Sequence, residues 1–285
     1  MKDIFYPSKD IKNIAPEHII PAGIGGTLSS RHLLDKDTNQ KFGQTIDKSL
    51  IETLNLFLCA LEIQTRRGKS RTVECEDSDY DLGSGWILKQ KTNVKKGDSG
   101  EILGFTTQDS DKARDLLKNF AKGGIISLDD SSSLTIFRQK SYPKKPIHSH
   151  LSFGSLEFQA IAKMAFESYA HFISHEIACS DQFNDFRAWM LQKVTSDAYD
   201  WASFDYRDDI WKMIPSLESS CFQHRIALFS GREYGGVWSA VELLGHLRFV
   251  VRLSQGSNVP NARVVYCVNP LTQEEKNGTI QICMK

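Results

Sequence analysis

The sequence predicts an α+β protein in which helices pack on an antiparallel sheet. Three observations predict it. Turn-rich residues 1–34 lead into a helix-like stretch, one apolar face recurs at helical spacing from Phe158 to Phe172, and after Pro215 the texture changes to short strand-like runs.

The elements follow in order. Residues 1–34 read as a short β-hairpin region, with Pro21 and the Gly23/Gly25/Gly26 cluster as turn material. A helix-like stretch carrying Asn39 comes next. Leu50, Leu54, Leu58 and Leu61 then recur at helical spacing, widened by Ile51 and Phe57, with Asp47 as the expected cap. Strands are expected at Arg71–Glu76, Trp86–Lys91 and Ile102–Thr106, and a helix from Asp109 to Lys122 through Ala113, Leu116, Leu117 and Phe120. Ile125–Leu128 and Leu134–Arg138 are further candidate strands. Arg138 to Pro146 carries two prolines and four cations and ends the regular pattern, so a boundary is placed there.

Beyond it, Ser155 is the expected cap of a helix whose Phe158, Ile161, Ala162, Ala165, Phe166, Tyr169 and Phe172 form one apolar face. A second helix runs from Asp181 through Phe183, Phe186 and Met190. Strands are expected at Cys221–Phe229, Gly236–Leu243, Leu247–Leu253, Arg263–Val268 and Thr279–Cys283. The chain therefore divides into residues 1–64, a β-rich extension at 65–145 and an α+β region at 146–285.

The most specific feature is local. Glu17-His18-Ile19-Ile20-Pro21 runs into Gly25-Gly26, and Asn39 follows His18 by 21 residues in Thr38-Asn39-Gln40-Lys41-Phe42-Gly43. This resembles the E-H-I-I-P…G-G…N-x-x-F-G pattern of stand-alone HNH endonucleases, whose core is a ββα-metal motif. The resemblance covers about residues 1–50, with a weaker echo at Arg66 to Arg71 and around Lys163.

The resemblance implies metal-assisted phosphodiester cleavage, with DNA as the expected substrate. His18 would be the general base that activates water, and Glu17 and Asn39 would share Mg²⁺, Mn²⁺ or a similar divalent cation. Lys41 would lie near the phosphate. On a regular strand, Glu17 and His18 point to opposite faces unless the strand is bent or bulged.

Two departures from the family pattern matter. Relatives hold the hairpin and helix together with a zinc on two C-x-x-C pairs. Here those positions read Asp3-Ile4-Phe5-Tyr6 and Asp35-Lys36-Asp37-Thr38, so no structural zinc is expected. The middle Asn of the family, which orients the His loop, has Ser30 at the nearest position. The alternative from another class is a nucleic-acid-binding or assembly subunit that keeps the scaffold without cutting. The family's setting in restriction and anti-phage defence implies protein partners in such a complex.

A basic cluster, Arg66-Arg67-Gly68-Lys69-Ser70-Arg71, is a candidate grip on backbone phosphates, with Lys95-Lys96 as a second contact; a solvated loop is its plain reading. His148 and His150 lack the companion ligands of a metal site. His171, His175, His224 and His246 read as core-edge or surface residues, and Trp189, Trp201, Trp211 and Trp238 as core aromatics rather than stacking platforms.

Thirty-five basic and thirty-five acidic residues cancel, which speaks mildly against tight non-specific DNA binding. The six cysteines lack C-x-x-C spacing and read as reduced core thiols of a cytoplasmic protein. The longest apolar run, Leu54 to Ile63, falls far short of the ~20 residues of a membrane span, and no secretory signal is visible.

Overall fold

The computed structural model describes residues 1–12, 16–63, 151–192, 197–217, 222–256 and 258–279. Between 64 and 150 it describes four short strands and the helical residues 115, 118–120 and 122. The architecture is mixed α+β, with helices and an antiparallel sheet. The chain forms two compact units. One joins Met1–Leu54 and Thr65–Arg67 to His150–Lys285, and the other joins Asn55–Gln64 to Gly68–Ser149.

In the first unit, β1 (Glu17–His18) and β2 (Ser29–Ser30) pair antiparallel, with Glu17 opposite Ser30 and His18 opposite Ser29. A 3-10 turn at Ala22–Ile24 lies between them. Helix α1 (Lys36–Gln44) follows, capped by Asp35, whose side chain accepts the Asp37 N–H. Thus a strand, a strand and a helix stand in the order that the sequence suggested.

The single helix expected beyond Asp47 is two. Helix α2 (Ile46–Thr53) has Thr45 at its N-cap and Asp47 inside its first turn, and α3 (Asn55–Ala60) begins after Leu54. The break falls where the chain passes from one compact unit to the other. In the second unit, β3 (Thr72–Glu74) pairs parallel with β4 (Ile87–Lys89), and β5 (Asn93–Lys96) pairs antiparallel with β6 (Ile102–Thr106). Lys95 and Lys96 therefore lie on a strand that the sequence pattern did not show.

Helix α4 (Ser155–Phe172) is the spine of the first unit. Its fourteen residues from Glu157 to Ala170 are all buried, so it is covered on every side rather than along one stripe. Sheet strands lie on one side of it and α2 on another. Gly154, not Ser155, takes its N-cap, and the Glu157 carboxylate accepts the Gly154 N–H at 2.8 Å. The same carboxylate accepts the Thr53 hydroxyl at 3.1 Å and the Ser49 hydroxyl, both from α2. Helices α5 (His175–Ala178) and α6 (Asn184–Met190) follow, the latter preceded by a 3-10 turn at Asp181–Phe183.

The sheet has six antiparallel strands. Strand β7 (Ala202–Phe204) precedes α7 (Asp208–Met213), and β8 (His224–Gly231), β9 (Gly236–Leu243), β10 (Leu247–Ser254), β11 (Ala262–Val268) and β12 (Glu275–Thr279) complete it. Their order is β12-β11-β8-β9-β10-β7. The last strand comes earlier than the expected Thr279–Cys283. Asn269 accounts for this, because its side-chain oxygen accepts the N–H groups of Leu271 and Thr272 and turns the chain back directly after β11.

Candidate functional site

The hairpin is held by contacts far away in sequence. Gly25 has a left-handed φ of 94° and lies against Pro270, where a Cβ would sit 2.5 Å from the proline Cβ. A Cβ on Gly26 would lie 2.0 Å from the Ile20 carbonyl oxygen. Both glycines of the motif are thus required by close backbone approach. His224 on β8 supports the same loop, with Nε2 donating to the Ile24 carbonyl at 2.8 Å and Nδ1 accepting the Leu244 N–H at 3.3 Å. These partners fix its tautomer, and burial pushes its pKa down to about 4. Thr27 completes the seam through the Tyr266 hydroxyl at 3.3 Å and the Glu275 carboxylate.

Residues 3–6 and 35–38 are joined by hydrogen bonds. Buried Asp3 accepts the N–H groups of Phe5 at 2.8 Å and Tyr6 at 3.1 Å with one oxygen, and the Asp35 N–H at 2.9 Å with the other. Asp35 in turn accepts Lys9 Nζ at 2.5 Å and the Lys12 N–H at 3.3 Å. The Lys9 ammonium is the chief reason that the Asp35 carboxyl is held down at about 2. Phe5 packs edge-on against Phe42 of α1 and Phe166 of α4, at ring-centre distances of 4.8 and 5.2 Å. A carboxylate knuckle and an aromatic plug therefore tie the N-terminal turn to the α1 cap.

Glu17 turns inward. Its carboxylate accepts Lys163 Nζ from the middle of α4, and the same ammonium lies 2.9 Å from Asp47 Oδ2 and 3.6 Å from Glu167 Oε1. All four side chains are buried, Lys163 and Glu167 completely. Burial alone would lower the Lys163 pKa, but the charges of Asp47, Glu167 and Glu17 outweigh it and raise it well above the usual lysine value. Burial, with the charges of Glu17 and Asp47, raises Glu167 well above the carboxylate range.

The β1–β2 register shows no shift, so side chains alternate along it. His18, half-buried, leaves the strand on the face opposite Glu17. Ser30 stands across from Glu17, and its hydroxyl accepts the His32 N–H at 3.2 Å, a bond within its own loop. Asn39 is half-buried in α1, and Lys41 is exposed one residue from the buried Phe42. A cavity of about 370 Å³ opens beside α1, lined by Lys41, Ser49, Gln159, Met190 and Gln192, and touches neither Glu17 nor His18. Arg66, Arg67, Lys69 and Arg71 lie outside the described residues, as do His148 and His150.

A divalent cation fits this arrangement poorly. Mg²⁺ takes oxygens at about 2.0–2.1 Å in octahedral array. Here the Glu17 carboxylate is engaged by an ammonium, and among the described residues no group of three or more His, Cys, Asp or Glu side chains is disposed to hold a metal ion. Asp3, Asp35 and Glu167 carry roles that the sequence did not assign, Lys163 entered only as a weak echo of the resemblance, and His224, expected at a core edge or the surface, is fully buried. The legible signal was the i, i+4 pair Lys163–Glu167 on the buried helix.

Comparison with protein-family models, with curated proteins and with solved structures returned no match. No helix among the described residues is long and apolar enough to cross a membrane.

Proposed function

We propose that the chain is an HNH-type endonuclease that cleaves phosphodiester bonds in DNA. The observation that carries the reading is the β1–β2 hairpin followed by α1, with His18 at its first strand and Asn39 on its helix. In this reading the imidazole of His18 takes a proton from water, the hydroxide attacks phosphorus, and the bond to the leaving oxygen breaks. Lys41, exposed on α1, offers a cation to the phosphate. Because Glu17 is engaged by Lys163, no step is assigned to a bound metal. A restriction or anti-phage setting with protein partners in the cytoplasm is carried by the family likeness alone.

Nicking of supercoiled plasmid in Mg²⁺, Mn²⁺ and EDTA, with a His18→Ala control, tests this. The expected outcome is nicking that His18→Ala slows about 10²–10⁴-fold while DNA binding persists. Nicking at the wild-type rate in that variant would remove His18 from the reaction.

One observation favours a second reading, a nucleic-acid-binding or assembly subunit that keeps the scaffold without cutting. It is the Lys163 ammonium on the carboxylate that the resemblance gives to a metal. DNA binding without nicking in any cation would establish that reading over the first.

A further inference from the structure

We propose that Lys163 is the resident cation of this ββα unit and a positioning residue for it, holding Glu17 in the role that the resemblance gives to a divalent ion. The inference deepens the HNH reading and rests on it only for the role of Glu17.

The contacts of the ammonium support it. It donates to the Glu17 and Asp47 carboxylates, and the Glu167 carboxyl lies beside it as an ion-pair neighbour at 3.6 Å. The ammonium's 2.9 Å separation from Asp47 is an ordinary charge-assisted hydrogen-bond length, so the nitrogen itself occupies the space between these carboxyl groups.

Placement supports it independently. The three acids come from β1, α2 and α4, so a single side chain ties the hairpin strand to two helices. Lys163 itself springs from the centre of a helix buried on every side, which leaves the ammonium no route to solvent. It has no snorkelling alternative of the kind that long cations use at a surface. Since Glu17 and His18 are consecutive on β1, the ammonium that anchors one sets the strand from which the other projects.

The test uses the full-length chain titrated with Mn²⁺ in the absence of nucleic acid, with the free ion followed by electron paramagnetic resonance. It therefore fails separately from the nicking assay. Wild type is expected to show no Mn²⁺ uptake that Glu17→Gln removes. Lys163→Ala leaves Glu17, Asp47 and Glu167 facing one another without their cation. It should bind one Mn²⁺ per chain, roughly tenfold or more tighter than wild type, and lose it again in Lys163→Ala/Glu17→Gln.

Two results would overturn the proposal: uptake by wild type that Glu17→Gln abolishes, or a folded Lys163→Ala chain that binds no better than wild type. If Lys163→Ala does not fold in metal-free buffer, recovery of cooperative unfolding on adding Mn²⁺ supports the proposal. If Mn²⁺ does not restore folding either, the wild-type and Glu17→Gln titrations decide it on their own.

Discussion

Two lysine–carboxylate contacts hold the ββα unit, and they differ in how far they lie from water. At the knuckle, a partly exposed Lys9 reaches in from the rim to the buried Asp35, beside the exposed Asp37. In the interior, Lys163 is wholly buried among Glu17, Asp47 and Glu167. The charges are alike, but a rim pair exchanges one set of water contacts for another, whereas an interior pair stands or falls as a unit. The interior contact locates the hairpin strand against two helices, whereas the Lys9 contact ties the N-terminal turn to the α1 cap.

The largest expected effect breaks the interior contact. Lys163→Met keeps the volume of the side chain but leaves buried carboxylates uncompensated, and should destabilise the chain by about 3–5 kcal/mol. Urea denaturation measures this. A loss below about 1 kcal/mol would place the ammonium among rim-type contacts.

A middle effect is expected at Asp3, which belongs to the knuckle but is buried. Asp3→Ala strands the N–H groups of Phe5 and Asp35 in the interior, so about 1–3 kcal/mol should be lost. Denaturation midpoints of the two variants side by side test the ranking.

The smallest effect is expected at Lys9. Lys9→Ala should shift the thermal midpoint least, and raised salt should shrink that shift further, while leaving the Lys163→Met effect unchanged. Acid gives the same separation. The Asp35 carboxyl is depressed from its ordinary 3.8 to about 2, so its contribution is present above about 4 and is lost as pH falls toward 2. Lys9→Ala should flatten that part of the stability–pH curve. A curve identical to wild type would show that the Lys9 ammonium does not set the titration of Asp35.

Much of the frame was legible in the sequence because it is local. Pro21 and the glycines mark the hairpin turn, the spacing from Phe158 to Phe172 marks α4, and the strand-like runs after Pro215 mark β8 to β11. The limits of legibility are equally specific. Strand β7 is three residues long, too short to show a period. The split at Leu54 follows from the division into compact units, which no apolar stripe records. His224 looks like any histidine near a strand end until Ile24, 200 residues away, meets its imidazole.

By itself, then, the sequence marked the order of strand, strand and helix, the turn glycines at 25 and 26, and the candidate base at His18, since each is read from residues close together in the chain, whereas the approach of Pro270 that requires glycine at 25 belongs to the tertiary structure. Only the tertiary structure decided what Glu17 touches. The Glu17–Lys163 contact spans 146 residues, and a lysine at the centre of a helix normally reads as a solvent-facing charge. It is an interior ion here because α4 is covered on every side, and the covering comes from elements whose mutual packing no local pattern encodes.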